Sequence, residues 1–458
     1  MNMDRQALPA ATMQVANWVS QLRHEQLPQR TREVVRCAIL DTLGCGVYGY
    51  NTPWAQMLLK WARSGGHNAD ATVWGDAERS LRTADAALVN GTSSHAFELD
   101  DYHNAKLHPG AVVVPAALAM AEKLGSDGKR LVTAIAAGYE IMIRSSLALN
   151  PSAARLRGWH LTGVCGPFGA AAACAVLMGL DAERTAWALG LAGTQGSGLW
   201  AFNADGAMSK RLHAGKAAHS GVLAAELAEI GFTGPTQIYE FEDGGVLKAY
   251  SDASDPVPLT AELGREYRLD STSIKPYSCC GSTHSYVDAA LILRQKLGAP
   301  WDSNRRVKVG LSKVVDVQCG FDYRPSNVLN AQMSLRYIVA AALVEGQALP
   351  PQFSDQKMSD PGLVSLAQKL ELAHDPKLDE LYPKNFAGWV AAESNGEWTR
   401  ADVLDPSGSP AAPIDARGIT EKFRGINGHL PVDQIAETAL NIEKHSVKDL
   451  LALLVQPR

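Results

Sequence analysis

Residues 161–180, LTGVCGPFGAAAACAVLMGL, form a long run without a single charged side chain. A run this apolar is buried either in a protein core or in a membrane. Most of its apolar content is alanine, and it also contains Pro167 and four glycines. A membrane span is richer in large apolar side chains. We therefore predict a buried helix that packs closely against other helices through small side chains, and no membrane association.

The composition is that of an ordinary globular enzyme. Hydrophobic residues make up 46% and charged residues 20% of the 458 residues, and the net charge is −5. An acidic chain lacks the basic surface that nucleic-acid binding requires, so we expect no nucleic-acid partner. The seven cysteines include no CxxC pair, which favours a reducing compartment. The N-terminus shows no apolar signal-peptide region, so we expect a cytoplasmic location.

Helical patterns dominate up to about residue 250. Apolar residues recur at helical spacing over 30–48. Three helix–turn signatures follow, with turn glycines at Gly125, Gly179 and Gly231. In each, an alanine-rich helix ends at the glycine and a second helix is expected after it. We interpret these signatures as stacked pairs of antiparallel helices in an all-α domain.

The pattern changes near residue 270. Residues 306–317 alternate as a strand would, and 386–404 contain two strand-like runs around Asn395-Gly396, a strong hairpin signal. Residues 334–346 and 361–373 look helical, 405–413 read as a linker, and 418–455 are helical again. We predict a mainly α protein in three segments: a helical domain over 1–268, a smaller α+β domain over 269–409, and C-terminal helices over 410–458 that return to the helical domain.

The densest group of chemically active side chains lies in residues 95–110, HAFELDDYHNAKLHPG, which we place on a loop between helices. The segment holds three carboxylates and three histidines, more than a loop needs. The alternatives are a solvated loop and a metal site. A metal site is disfavoured because the five-residue spacing of His103 and His108 matches neither a zinc helix motif nor a Cys/His pattern.

Three further clusters contain polar or charged side chains that could act in a functional site. Gly158-Trp159-His160 precedes the uncharged helix, where an imidazole would meet an anion at the helix N-terminus. Ser209–Lys216 places three cations and a histidine before another alanine-rich helix, which a helix dipole disfavours unless an anion lies among them. Residues 274–284, IKPYSCCGSTH, lie at the predicted domain junction. Each cluster also has a purely structural interpretation.

Several motifs together resemble the MmgE/PrpD family, which includes 2-methylcitrate dehydratase, cis-aconitate decarboxylase and iminodisuccinate epimerase. The similarity extends over nearly the whole chain, and its most specific parts are HPG (108–110), GYE-x3-R (138–144), GWH-x-TG (158–163), SKRLHAGKAA (209–218) and KP-x-SCC-x3-H-x3-DA (275–289). The resemblance implies a large all-α domain and a smaller α+β lid domain. It also implies a homodimer.

The resemblance also implies site residues, matched motif by motif. As catalytic residues it implies His108, His160, Lys210, Lys275 and Tyr337. As substrate-binding residues we add Glu98, Asp101, Tyr102, Arg211 and His284. In this interpretation His108 moves a proton, His160 assists it or stabilises an oxyanion, and the two lysines bind carboxylates.

The function implied is that of a cofactor-independent lyase acting on a small di- or tricarboxylate. Our main interpretation is a hydro-lyase similar to 2-methylcitrate dehydratase, because decarboxylase-like members often have threonine where this chain has Tyr102. The alternatives are a carboxy-lyase similar to cis-aconitate decarboxylase, an epimerase, and a non-catalytic carboxylate-binding protein. No phosphate-binding glycine loop and no cluster-type cysteine spacing occurs, so we expect neither a cofactor nor a metal.

Overall fold

A computed structural model describes residues 10–66, 70–76, 81–382 and 384–455. The first nine residues, part of the N-terminal segment behind the localisation prediction, lie outside the described residues. The chain divides into two compact units. The first unit comprises Met1–Ala96, Asp100–Thr272 and Ala416–Arg458, and the second comprises Phe97–Leu99 and Ser273–Asp415.

The first unit is all-helical over its described residues, and the C-terminal helices belong to it. Its α-helices are α1 (Ala11–Gln21), α2 (Gln29–Tyr50), α3 (Pro53–Arg63), α4 (Thr83–Ser94), α5 (Gly110–Leu124), α6 (Gly128–Ala148), α7 (Pro151–Leu156), α8 (Leu161–Met178), α9 (Ala182–Gly193), α10 (Ser209–Glu229), α11 (Val246–Tyr250) and α12 (Val257–Thr260), followed after the second unit by α20 (Ala416–Asn427), α21 (Val432–Leu440) and α22 (Val447–Ala452).

Helix α8 is the uncharged segment singled out in the sequence, and it lies in the core between α6 and α10. A Cβ atom at Gly138 of α6 would come within 2.7 Å of the Gly169 carbonyl oxygen of α8, and one at Gly221 of α10 within 2.3 Å of Ala170 Cβ. The backbones therefore approach too closely for any side chain at these positions. Helices α6 and α8 are long and apolar enough to span a membrane, but 94% and 89% of their apolar windows are buried inside the protein. The prediction of a buried, small-residue helix is confirmed.

Two of the three predicted helix pairs form. Helix α5 ends at Gly125 and α8 at Gly179, with left-handed φ values of 62° and 70°, and α6 and α9 follow. The third prediction is wrong, because residues 231–245 after α10 contain no helix. The backbone there bonds to more distant residues instead, with the Val246 amide donating to the Ile238 carbonyl and the Leu247 amide to the Tyr239 carbonyl.

The second unit combines helices with a small sheet. Its helices are α13 (His284–Leu297), α14 (Lys313–Cys319), α15 (Val328–Met333), α16 (Leu335–Glu345), α17 (Asp355–Met358), α18 (Pro361–Lys369) and α19 (Pro376–Leu381), and its strands are β1 (Val307–Leu311), β2 (Glu371–His374), β3 (Gly388–Ser394) and β4 (Glu397–Val403).

The sheet has the order β2-β1-β3-β4, with β1 parallel to β2 and the other pairs antiparallel. The predicted hairpin is confirmed, since β3 and β4 flank Asn395-Gly396. Two predicted elements are longer than the observed ones. The strand expected over 306–317 ends at Leu311, because the Ser312 side chain caps α14. The helix expected over 361–373 ends at Lys369, and Glu371–His374 pairs with β1 instead. The chain is mainly α, as predicted.

Candidate active site

The loop over residues 95–110 connects α4 to α5, as predicted, but it is not solvated. His95, Asp100 and Asp101 are fully buried, and Glu98 and His103 nearly so. Burial of ionisable groups is costly unless each finds a partner. The solvated-loop alternative is therefore wrong, and the partners of these groups define the candidate site.

One carboxylate oxygen in this loop faces two imidazoles. Asp100 Oδ2 lies 2.8 Å from His95 Nδ1 and 3.4 Å from His108 Nδ1. The two rings are 4.6 Å apart between centroids. Burial by itself would raise the pKa of Asp100, but His95 and His108 outweigh it and hold that pKa well below its usual range. Asp100 is therefore ionised.

The tautomer of His108 follows from a second contact. Its Nδ1 lies 2.9 Å from the backbone carbonyl oxygen of Asp101. A carbonyl oxygen only accepts hydrogen bonds, so Nδ1 carries the hydrogen. The nitrogen that can exchange a proton is then Nε2. The His108 side chain is 16% exposed, whereas those of His95 and Asp100 are fully buried.

The same three side chains are also the ones whose donor atoms could surround a metal ion. One ligand atom from each of His95, Asp100 and His108 lies within 4.8 Å of the others. However, a nitrogen that carries a hydrogen has no lone pair for a metal, and Nδ1 of His108 faces a carbonyl. We interpret the contacts as hydrogen bonds, and the absence of a metal requirement stays a prediction.

Asp101 is held by the rest of the HPG loop. The Tyr139 hydroxyl donates to its Oδ2 at 2.7 Å, and the Gly110 amide donates to its Oδ1 at 2.8 Å. Burial, together with Asp100 and Asp41, raises the pKa of Asp101 to about 7. A Cβ atom at position 110 would come within 2.7 Å of Asp101 Oδ1, so the motif requires glycine there. Asp101 thus fixes the start of α5 behind His108.

His103 and Tyr102 lie on the same loop. Nδ1 of His103 accepts a hydrogen bond from the Ala105 amide at 3.0 Å. Burial lowers the pKa of His103 to about 4, so this imidazole is neutral. Tyr102 is half-buried. His103 therefore has a structural task, unlike His108 five residues later.

A second pair of imidazoles lies on the neighbouring helices. His160 immediately precedes α8, and its Nδ1 lies 3.0 Å from Nδ1 of His213 on α10. One of these two nitrogens donates and the other accepts. Burial, followed by the positive charges nearby, holds the pKa of His160 well below its usual range, and burial lowers the pKa of His213 to about 4. The His160 ring also lies 6.1 Å from that of His95.

Aromatic rings enclose this pair. The ring of His160 makes edge contacts with Trp200 and Phe202, at centroid distances of 5.7 and 5.5 Å. Lys210 Nζ lies 5.8 Å from the Phe202 centroid. A cation within this range of an aromatic face is attracted to it. The four histidines 95, 108, 160 and 213 form what we call the histidine cluster.

The sequence predicts that the basic residues after Met208 precede a helix. In the structure they form the first turns of that helix. Helix α10 begins at Ser209, and Lys210 and Arg211 are buried. Arg211 donates to the Ala96 carbonyl at 2.9 Å and stacks on Trp54. These contacts anchor Arg211 to the end of α4, while Lys210 adds a positive charge that acts on His95, His160 and His213.

In the second unit, Lys275 and Glu98 form a buried ion pair. Lys275 Nζ lies 3.3 Å from Glu98 Oε2 and 3.2 Å from the Glu98 carbonyl oxygen. Glu98 has a φ of 54°, a strained backbone conformation for a non-glycine residue. The Ser278 hydroxyl and the Gln332 amide both donate to the Phe97 carbonyl. The segment Phe97–Leu99 is thereby fixed to the KP-x-SCC motif.

The remaining predicted residues of this unit have internal partners. The Tyr337 hydroxyl donates to the Gln352 carbonyl at 2.5 Å, and its ring packs on Tyr323. Nε2 of His284 faces the Cys279 carbonyl at 3.3 Å. The predicted roles of Tyr337 and His284 stay predictions, because the contacts described for them are with neighbouring residues of the same unit. A hydrogen bond with Cys319 lowers the pKa of the Cys280 thiol, which the sequence did not indicate.

The structure therefore brings three predicted residues, His108, His160 and Lys210, into one buried group of the first unit. Sequence reasoning did not select Asp100, His95 or His213 as site residues. His213 follows Lys210 by three positions in a helix, which places both on one face and was a usable signal. No sequence signal shows that His95 and His108 share one carboxylate.

Chemically, this group can hold an anion and move a proton. Lys210 supplies an ammonium group, and the imidazoles supply hydrogen-bond donors and acceptors. Fixed donors in a buried environment stabilise negative charge that develops during a reaction.

Comparison with known proteins gives a consistent assignment. The family model described as "MmgE/PrpD N-terminal domain" matches residues 13–258, and the model described as "MmgE/PrpD C-terminal domain" matches residues 277–445. A cis-aconitate decarboxylase-like protein of Aspergillus oryzae is 30% identical, covering 97% of each chain. Cis-aconitate decarboxylase of Aspergillus terreus is 30% identical, covering 99% of this chain and 98% of the relative. The human cis-aconitate decarboxylase is 29% identical, covering 96% and 92%. The chain belongs to the MmgE/PrpD family and is an enzyme of the lyase class.

Proposed function

We propose that this protein is a cofactor-independent carboxy-lyase that removes CO₂ from cis-aconitate or a closely similar tricarboxylate. The observation that carries the proposal is the near full-length similarity to several proteins named cis-aconitate decarboxylase. The histidine cluster supports it, because loss of CO₂ must be followed by protonation of carbon.

The reaction needs a carboxylate to leave and a proton to arrive. When the bond between carbon and carboxylate breaks, CO₂ departs and the electron pair stays on carbon, spread over the neighbouring double bond and carboxylate. An acid then donates a proton to that carbon, giving an unsaturated dicarboxylate. Positioned general acids contribute about 100- to 10,000-fold to such steps.

In this proposal His108 is that acid. Its Nδ1 is held by the Asp101 carbonyl and by Asp100, so Nε2 delivers the proton. Lys210 binds a substrate carboxylate, and His160 assists by donating a hydrogen bond to developing negative charge. Lys275 is proposed as a further carboxylate ligand.

Hydro-lyase activity of the 2-methylcitrate dehydratase type was the main interpretation from the sequence. The comparisons favour the carboxy-lyase alternative over it. Tyr102 is the feature that favours the hydro-lyase, and it lies next to the buried Asp101. An epimerase would use the same imidazoles to exchange a proton at carbon. A binding protein without activity would not need a positioned proton donor.

The test is incubation of the purified protein with cis-aconitate, citrate, 2-methylcitrate and iminodisuccinate, each followed by product identification. The proposal expects CO₂ release and an unsaturated dicarboxylate from cis-aconitate, with much lower turnover of the others. Dehydration of 2-methylcitrate without CO₂ release would establish the hydro-lyase instead.

We also propose that the protein is a homodimer. Sedimentation that shows a monomer at micromolar concentration would contradict this proposal.

A further inference from the structure

The carboxylate of Asp100 is positioned between two imidazoles in a way that the proposed function does not explain. Its Oδ2 accepts from Nδ1 of His95 at 2.8 Å and lies 3.4 Å from Nδ1 of His108. All three side chains come from the loop between α4 and α5, and all three residues belong to the first unit. A single buried oxygen thus serves both rings.

We propose that Asp100 is the positioning residue of His108, and that His95 holds Asp100 in place for that task. The proposal rests on the proposed function in one respect, that His108 delivers a proton. It adds two residues, neither of which touches the substrate in this account.

The negative charge of Asp100 is the first reason for this role. A carboxylate beside an imidazole N–H stabilises the positive charge that the ring carries when it transfers a proton. A proton donor must be an imidazolium before the step. Asp100 therefore places a negative charge beside Nδ1 of His108, while the Asp101 carbonyl orients the ring.

The second step concerns how Asp100 is kept in this position. His95 Nδ1 makes the shorter of the two contacts, and His95 Nε2 is buried without a hydrogen-bond partner among the described residues. Burial lowers the pKa of His95 despite the nearby carboxylate. His95 is therefore a neutral donor whose hydrogen points at Asp100, and not a second acid.

Other charged groups surround this set and would respond to pH with it. On the side of His95 these are Lys210, His160 and His213, and on the side of Asp100 they are Asp101, Asp41 and Lys422. Lys422 and Asp41 form a buried pair of their own. A test must therefore compare variants at several pH values with a control on the same loop.

The first experiment measures kcat and KM of Asp100→Asn between pH 5 and pH 8, with whichever substrate the wild type turns over. The amide keeps the shape and removes the charge. We expect kcat to fall about 10- to 1000-fold while KM changes little, because Asp100 contacts the ring of His108 and not the substrate. His103→Asn is the matched control, since Asn can still accept from the Ala105 amide, and its pH profile should follow the wild type.

An unchanged kcat in Asp100→Asn, or a loss that appears in KM instead of kcat, would overturn the proposal. His95→Asn keeps a donor that can reach Asp100, whereas His95→Ala removes it, so the alanine variant should lose more activity. Equal losses for the two His95 variants would contradict the holding role.

The second experiment does not depend on activity or on the Asp100 variant. Nitrogen NMR of wild-type protein with ¹⁵N-labelled histidine reports which ring nitrogen carries hydrogen, and spectra of His95→Asn and His108→Asn assign the signals. The proposal expects hydrogen on Nδ1 of both rings. A His108 ring with a bare Nδ1 would refute it even if cis-aconitate proves not to be the substrate, and failure of every substrate in turnover assays would refute the proposed function alone.

Discussion

The histidine cluster of the first unit and the KP-x-SCC segment of the second unit both bury polar side chains, but they use them differently. In the histidine cluster, imidazoles bond to one another and to Asp100, and Nε2 of His108 is left to exchange a proton. In the second unit, Lys275 bonds to Glu98 and Tyr337 to a backbone carbonyl.

The difference shows that burial of polar side chains can have two consequences, depending on which side chains are buried. Burial lowers the pKa values of His95, His160 and His213, so these rings are neutral near pH 7 and can both donate and accept hydrogen bonds. An ammonium paired with a carboxylate keeps both charges fixed, and such a pair holds a backbone segment in place. The proposed proton chemistry therefore belongs to the first region, whereas Lys275, besides its proposed contact with a carboxylate, pairs with Glu98 and holds the Phe97–Leu99 segment.

The largest expected effect is on proton transfer by His108. His108→Ala should lower kcat by about 100- to 10,000-fold with a small change in KM, because a general acid acts mainly in the transition state. His108→Asn is the sharper variant, since its amide can still donate to the Asp101 carbonyl while lacking Nε2. Steady-state kinetics of both variants should show the same loss. A retained kcat in His108→Asn would remove His108 from the role of acid.

The next effect concerns the second region and is one of stability. Lys275→Met leaves the buried Glu98 carboxylate without its ammonium partner, and breaking a buried ion pair in this way costs about 3–5 kcal/mol. Chemical denaturation should show this loss of unfolding free energy. The double variant Lys275→Met with Glu98→Gln should recover part of it. If the double variant is no more stable than the single one, the ion pair is not what fixes this segment.

A smaller effect is expected for Lys210. If it only binds a carboxylate, Lys210→Ala should chiefly raise KM, by about 10- to 150-fold, the worth of a charge-assisted hydrogen bond. Lys210→Arg need not restore binding, because a planar guanidinium does not replace a compact ammonium. A pure kcat effect with unchanged KM would make the lysine a participant in proton transfer.

The smallest expected effect is the contribution of His103 to the pH dependence of stability. Burial holds the pKa of His103 at about 4 in the folded chain, below the value of about 6.5 expected on unfolding. As the pH falls, the unfolded chain binds the proton first, so stability is lost between about pH 6.5 and pH 4. This amounts to about 2 kcal/mol between pH 7.5 and pH 5.

His103→Asn should therefore lose less unfolding free energy than the wild type over that interval, as measured by denaturation at each pH. Identical pH dependence of the two proteins would show that the pKa of His103 is the same in the folded and unfolded chains, and would contradict this prediction.

Much of the fold follows from local sequence signals. The small-residue helix α8, the glycine ends of α5 and α8, and the hairpin around Asn395-Gly396 are fixed by neighbours in the chain, and the sequence predicts each of them. The failures lie where tertiary contacts decide. Residues 371–374 form a strand only because β1 is beside them.

The candidate site divides in the same way. His108, His160 and Lys210 lie in specific motifs and could be selected from the sequence. Asp100 and His95 could not, because their importance comes from a shared hydrogen bond that exists only when the loop is folded and buried. The sequence also could not show that the Tyr337 hydroxyl donates to a backbone carbonyl, because that hydrogen bond joins residues in different elements.

The measurement that tests the central claim most directly is turnover of cis-aconitate in D₂O, with the product analysed by mass spectrometry and NMR. If an acid of the histidine cluster protonates carbon after CO₂ leaves, each product molecule should carry one solvent-derived deuterium on carbon, and the rate of product formation should collapse in His108→Asn. Product formed without deuterium, or formed at the wild-type rate by His108→Asn, would contradict the account.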